Sequence, residues 1–356
     1  MRRLLVLAAA GLIAAGCGSS SPSLGAGAAG VPADAQAFVA VRTDDPNWRL
    51  FVRAALGRVP KVAAGTRVLE VALVHGKLVV PHGSVAHSLA DSRRYRNARA
   101  AMPGGLRGIA YLRGDLVAAR LHEIPGAITI TTIPIRVRRV LHPRGTDLIA
   151  RLPYAWGAGW LLGDGMGWHA RSGGSPILRS LNGRGEEQFV TAYTPRLFDE
   201  IPADATLVVD LPLPPQSWES MPTLPAAVRR LIPRLPALEL GASLDTIFGG
   251  ESALYRRPGG EVTVVTSPAD TAAAQRELAF LFPQRKLQVT TLGGQLVIST
   301  RAKGIAAFRA GGEKLSSKVQ LPGPVTFVVY TPQLLGWGEL HGRDLTVTVN
   351  FIRHSG

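Results

Sequence analysis

An α+β fold of two divergent repeats, with largely antiparallel sheets and helices packed on one face, is what this sequence predicts. Three observations lead there. The chain matches itself: Val31-Pro32-Ala33-Asp34-Ala35 recurs as Ile201-Pro202-Ala203-Asp204-Ala205, and the match continues without gaps at the same offset through Phe38 against Val208, Val41 against Leu211 and Trp48 against Trp218. Self-similarity of this kind marks a repeated supersecondary unit. Short alternating runs such as Glu261–Thr266 read as half-buried strands. Pairs of such runs joined by glycine turns read as hairpins, which makes the sheets antiparallel and leaves helices to cover them.

Two further matches extend the repeat. At a second, larger offset, Leu69, Val71, Gly76, Leu78, Val79 and Val80 face Leu287, Val289, Gly294, Leu296, Val297 and Ile298; one position further out, Tyr111 faces Tyr330. The change of offset places an extra strand-helix unit at about 249–283 in the second copy. There Glu261–Thr266 is the strand, and Ser267-Pro268-Ala269-Asp270 starts a helix with Ser267 as N-cap and Pro268 in its first turn. That helix stops before Pro283. Lys286–Leu292 and Gln295–Ser299 form a hairpin about Gly293-Gly294, a short helix follows from about Arg301 to Phe308, and Val325–Tyr330 is a strand. In the first copy, Asp45-Pro46-Asn47-Trp48 starts a helix with Asp45 as N-cap. The resulting organisation is a signal peptide at 1–16, a flexible tether at 17–30, repeat one at 31–195 and repeat two at 196–356.

The N-terminus carries an address. Arg2 and Arg3 precede the apolar run Leu4–Gly16, which as a helix spans roughly 20 Å against a hydrocarbon core of roughly 30 Å. That is the length of a signal-peptide core. The run ends Ile13-Ala14-Ala15-Gly16-Cys17, a lipobox pattern in which the cysteine thiol takes a diacylglyceryl group. Cys17 is the only cysteine of 356 residues, which excludes disulfides, cysteine-pair zinc sites and any other cysteine nucleophile. The Gly/Ser/Ala composition of 18–30 reads as a tether. The expected location is extracytoplasmic, anchored to the cell membrane through lipidated Cys17.

Net charge is +15, or +13 once Arg2 and Arg3 leave with the signal peptide. Only six of the basic residues are lysine, a bias that follows a GC-rich genome, and the cluster Arg136, Arg138 and Arg139 is short. No basic stripe accompanies an extracytoplasmic address, so nucleic acid is not an expected partner. Anionic lipids or wall polymers are.

Taken with Ser88-Leu-Ala-Asp-Ser92 and Tyr95, Phe248-Gly-Gly-Glu251 and the Ser267-Pro-Ala-Asp270 helix start, the Val31-Pro-Ala-Asp34 opening resembles an uncharacterised family of actinobacterial surface lipoproteins with a repeated Pro-Ala-Asp-type domain of unknown function. The resemblance covers about two thirds of the body and implies fold and address. It implies no activity and carries over no functional residues. The Ser88–Ser92 motif decays to Leu315-Ser-Ser-Lys318 in the second copy.

Of the residues that bear chemistry, Tyr154, Trp156, Trp160 and Trp168 are the candidate ligand-binding set. Tyr154, Trp156, Ala158, Trp160 and Leu162 alternate toward a Gly163-Asp164-Gly165 turn, and pairing Leu162 with Met166 sets Trp160 opposite Trp168 on one face. Such a face is either a half-buried core surface or an exposed aromatic wall for a glycan, acyl chain or partner. Asp34 and Asp204 are either paired carboxylates of a site or turn-fixing residues. Arg113-Gly114-Asp115 spells an adhesion tripeptide but falls after a strand. The eight histidines are dispersed, His122-Glu123 lacks a second ligand histidine, and Gly173-Gly174-Ser175-Pro176 is no nucleophile elbow. No metal ligands, catalytic residues or cofactors are nominated. The expected function is a lipid-anchored, non-catalytic envelope protein binding an envelope lipid, glycan or protein. The alternatives are a cell-wall-directed hydrolase or transferase, and a structural or assembly lipoprotein without a small ligand, for which Trp160 and Trp168 would be buried.

Overall fold

A computed structural model describes residues 23–120, 154–174, 176, 192–213, 237–282 and 287–352. The signal-peptide run, Cys17, His122-Glu123, the Arg136–Arg139 cluster, Ser175 and Trp218 lie outside the described residues. The strands are β1 (Ala37–Arg42), β2 (Val68–Val74), β3 (Lys77–Val79), β4 (Gly108–Arg113), β5 (Tyr154–Leu161), β6 (Gly165–Ser172) and β7 (Leu207–Leu213), then β8 (Gly250–Arg256), β9 (Val262–Thr266), β10 (Gln288–Leu292), β11 (Gln295–Ser299), β12 (Phe327–Thr331), β13 (Leu334–His341) and β14 (Asp344–Phe351). Six helices accompany them among the described residues: α1 (Trp48–Leu56), α2 (Arg93–Ala100), α3 (Gly114–Arg120), α4 (Ala237–Phe248), α5 (Thr271–Leu281) and α6 (Ala302–Arg309).

All fourteen strands join one antiparallel sheet in the order β10-β11-β9-β8-β7-β12-β13-β14-β6-β5-β4-β1-β2-β3. The α+β class is therefore as expected, but the two halves of the chain do not form separate sheets. β14, the last strand, pairs with β6 along its length from Asp344↔Arg171 to Asn350↔Gly165, and this ladder is the seam of the molecule.

Helices on one face is corrected: they cover both. Every residue from Ala37 to Val41 is buried, so β1 needs a layer on each side. Val39 and Val41 pack with Phe51, Val52 and Leu56 of α1 and Val117 of α3. Phe38 and Ala40 pack on the other face with Tyr95 and Ala98 of α2. The same division holds in the second half, where Leu296 and Ile298 meet α4 and α5, and Val297 meets Phe308 of α6.

The hairpin beside β7 is β8–β9, just as β2–β3 lies beside β1; β10–β11, the hairpin that matches residues 69–80 in sequence, lies two strands further out at the sheet edge. Tyr111 opposes Phe38 and Tyr330 opposes Val208, which agrees with the offset that matches Phe38 to Val208. Helix starts also move. Asp270, not Ser267, caps α5 by accepting the Ala272 and Ala273 N–H groups, both at 2.9 Å, because it alone stands two and three residues before those orphan donors. At α1 the cap position is Asn47, whose N–H is held by the Asp45 carboxylate at 2.9 Å.

The expected tether ends early. Ala26–Gly30 forms a 3-10 turn with Ala28 buried, and the Gly25 and Gly27 N–H groups donate to the two oxygens of Glu70 on β2, both at 2.9 Å. Glycine makes this approach possible: a Cβ on Gly27 would stand 2.2 Å from the carboxylate. The second half has a parallel arrangement, a 3-10 turn at Leu197–Glu200 whose Leu197 N–H donates to Glu251 at 2.6 Å.

Candidate functional site

The aromatic hairpin forms, with a register one residue from the expected one. Leu162 N–H bonds Gly165 O at 2.7 Å, so the turn is the two-residue Gly163-Asp164 rather than Gly163-Asp164-Gly165. Leu161 then opposes Met166, Trp160 opposes Gly167 and Trp168 opposes Gly159. A one-residue slip sends side chains to the opposite face. Trp160 and Trp168 therefore point to opposite sides, each indole lying over the glycine across from it. A bulge between Tyr154 and Trp156 turns Tyr154 away from Trp156 in the same manner. Trp168 stacks on Phe51 of α1 with centroids 5.4 Å apart, and Trp156 stacks on His169 at 5.3 Å. All four aromatic residues are buried, at 5–8% exposure, so they form no single exposed wall.

What lies beside them was not legible in the sequence. β14 alternates cleanly: Leu345, Val347 and Val349 are buried, while Asp344, Thr346 and Thr348 are half-exposed and Asn350 is exposed. Register carries the open row onto His169 and Arg171 of β6 and toward Glu339 and His341 of β13. The face is the one that α2 and α6 cover toward the two ends of the sheet. His169 joins the row together: its Nε2 stands 3.0 Å from Asp344 Oδ1 and its Nδ1 3.2 Å from Thr346 Oγ1. Arg171 donates to both Asp344 oxygens, at 3.0 and 2.8 Å.

Burial lowers the His169 pKa from its ordinary value more than Asp344 raises it. The neutral ring then has one consistent tautomer, with Nε2–H donating to Asp344 and Nδ1 accepting from the Thr346 hydroxyl. A hydroxyl, an imidazole and a carboxylate in this order make a proton relay. Thr346, however, lies inside β14 with β6 and β13 paired on either side, so the backbone N–H groups near its hydroxyl serve the ladders. An oxyanion hole needs such donors. The row is better suited to hydrogen-bonding a polar partner.

A second polar cluster surrounds a buried carboxyl. Asp210 of β7 is fully buried, and Tyr193 donates its hydroxyl to Asp210 Oδ1 at 2.9 Å. Burial pushes the Asp210 carboxyl well above the usual carboxylate range, and the charge of nearby Glu251 adds to this. Glu251 keeps the Leu197 N–H, so the proton resides on Asp210. The pair ties the Tyr193–Glu200 segment to the sheet.

The repeated Pro-Ala-Asp carboxylates are not brought together. Asp34 faces His75 at 3.4 Å on the surface. Asp204 is gripped by Arg257, at 2.6 Å from its Nη2, which holds the carboxyl below its ordinary pKa. In the Arg113-Gly114-Asp115 tripeptide the two charged side chains bond each other at 2.7 Å through two contacts, and Gly114 is required because a Cβ there would collide with the Tyr154 carbonyl. That geometry spends the tripeptide on the fold. Two of the clefts among the described residues border these elements. One, of about 490 Å³, is lined by Tyr154, Arg94 and Arg113. The other, of about 650 Å³, opens at Ser23 beside Arg42 and Arg99. Among the described residues no three His, Cys, Asp or Glu side chains gather as metal ligands, and no helix is long and apolar enough to cross a membrane. No protein-family model, curated protein or solved structure matches the chain.

Proposed function

We propose that this chain is an envelope lipoprotein, held to the outside of the cell membrane by a lipid on Cys17, whose body binds a polar envelope component rather than transforming it. The observation that carries the binding reading is the open row Asp344, Thr346, Thr348 and Asn350 in the middle of a fourteen-stranded sheet. A strand so placed is ordinarily covered on both faces or left plainly solvated; here it is joined to His169 and Arg171 in a preorganised set of donors and acceptors. Membership of the actinobacterial surface-lipoprotein family, by the motifs quoted above, belongs to the same reading.

We also infer a duplication. The matched Pro-Ala-Asp segments support it: Leu89 N–H bonds Val31 O at 2.6 Å, and Leu315 N–H bonds Ile201 O at 2.8 Å. Gly27 and Leu197, equivalent at the offset that matches Val31 to Ile201, each give an N–H to a strand glutamate.

Two observations favour other readings. Burial of Trp160 and Trp168 is what a purely structural lipoprotein requires, and the Thr346–His169–Asp344 relay is what a wall-directed hydrolase would use. Native mass spectrometry of the chain extracted from its own membranes separates the three. The binding reading expects an acyl increment on Cys17 and a second, separable mass that Thr346→Trp abolishes. A lipidated chain with no second mass supports the structural reading. Covalent labelling by an acyl-phosphonate that Thr346→Ala prevents supports the hydrolase.

A further inference from the structure

We propose that the end of the molecule from which the N-terminal segment departs is a binding site for an anionic phospholipid headgroup, formed by Arg42, Arg99 and the loop Met102–Leu106. The inference rests on the lipid-anchor reading and gives it a specific surface. The cleft of about 650 Å³ opens where Ser23 and Leu24 dock, with Arg42 from the end of β1, Arg99 from α2 and the loop as its remaining walls. Ser23 lies six positions after Cys17, and a chain of that length reaches at most roughly 20 Å. A lipid on Cys17 therefore keeps this end of the sheet within one short reach of the headgroups.

Charge agrees with that position. α2 reads Arg93-Arg94-Tyr95-Arg96-Asn97-Ala98-Arg99; Tyr95 and Ala98 are buried beneath it, and Arg93, Arg94 and Arg96 are exposed. Arg42, Arg93, Arg96 and Arg99 have no carboxylate partner among the described residues. Acids nearby are already engaged: Glu70 holds the Gly25 and Gly27 N–H groups, Asp91 accepts the Ser88 hydroxyl at 2.5 Å, Asp45 holds Asn47 N–H, and Asp44 faces Arg107 at 3.7 Å. Arg99 turns its guanidinium to the cleft, where one nitrogen lies 3.6 Å from Met102 Sδ. A phosphodiester is what unpaired guanidinium groups bind best. The rest of the loop suits the same occupant. Met102 and Leu106 are half-exposed and Pro103 is exposed, apolar groups at the depth where headgroup meets acyl chain. Gly104 and Gly105 have open space around them and admit a headgroup to the backbone.

The test uses the full lipidated chain in vesicles of phosphatidylcholine alone or mixed with phosphatidylglycerol, with intact mass checking the lipid on Cys17. Amide hydrogen exchange over residues 93–107 should slow by about fivefold or more in the mixed vesicles only, as the attraction of one or two arginines to an anionic surface predicts. Arg42→Glu with Arg99→Glu should abolish the slowing while the far-UV spectrum stays unchanged. A remote pair of matched charge, Arg276→Glu with Lys303→Glu, should leave it intact. Equal exchange in both vesicles, or an equal loss with the remote pair, overturns the site. If intact mass shows Cys17 unmodified, the anchor reading fails by itself; the unmodified chain is then sedimented with the same vesicles. Binding to phosphatidylglycerol that the first pair loses upholds the site, and no binding overturns it.

Discussion

Asp210 sits in an environment far from what its type prefers. A fully buried carboxyl beside a second carboxylate holds its proton, and Tyr193 supplies one hydrogen bond. Its folded pKa lies above the ordinary value of 3.8. The stability it contributes is therefore fully present below that ordinary value and is lost as pH rises toward the folded value. Asp210→Asn copies the protonated shape and cannot ionise. We expect the variant to match the natural chain near pH 4 and to be more stable by on the order of 1–3 kcal/mol near pH 8. Chemical denaturation at the two pH values checks this, and an Asn variant that is the weaker one at pH 8 sinks the assignment. Asp210 did not stand out in the sequence, because the matched Val208 and Val209 dominate its strand. The available signal was a single acid inside the apolar run Leu207–Leu211, where the first half has Ala40.

At the scale of the element, the β5–β6 hairpin shows how far pattern reaches. Two aromatic runs around a glycine turn announced a hairpin, and the hairpin is there. Its register was not readable, since Gly163-Asp164 and Gly163-Asp164-Gly165 are both acceptable turns and differ by one residue. The choice was made by packing. With the shorter turn each indole finds a glycine opposite: a Cβ on Gly167 would stand 2.2 Å from the Trp160 ring, and one on Gly159 would stand 2.5 Å from Trp168. Gly167→Ala should therefore cost about 1–3 kcal/mol through overpacking. Urea unfolding of that variant beside Gly163→Ala, whose surroundings are open, makes the comparison; equal effects at the two sites argue against the register. The capping of α5 teaches the same lesson more mildly. Ser267-Pro268-Ala269-Asp270 pointed to a helix start, but the start lies three residues later than expected, at Thr271, because the backbone is extended at Asp270, with φ −133°, and its carboxylate reaches the N–H groups.

Across the whole molecule the decisive contact is β14 on β6, which joins the last strand of the chain to one near its middle and merges both halves into one sheet. Repeats that met only through side chains could unfold separately. A shared ladder of seven residue pairs couples them. We expect a single unfolding transition, with Trp156 and Trp337, one in each half, reporting the same midpoint when each is made the sole tryptophan of the chain. Two midpoints would show that the seam does not couple the halves. The seam also explains where the open polar row lies. Among the described residues no helix covers that face there, and its members, His169 with Asp344, are 175 residues apart in the chain.

By itself the sequence determined what is local or periodic. That includes the α+β class, the β10–β11 hairpin, the α5 helix and its end before Pro283, the α6 helix and the paired Pro-Ala-Asp openings, because turn residues, alternation and capping act over a few neighbouring residues. It also supplied the N-terminal pattern on which the anchor proposal stands. Only the tertiary structure decided which strands meet, which face each aromatic takes, that helices cover both faces, and that His169, Arg171, Asp344 and Thr346 converge. The physical reason is that strand pairing and burial are long-range choices. Each is settled by the fit of surfaces brought together by the fold, and a one-residue change in register reverses every side chain along a strand.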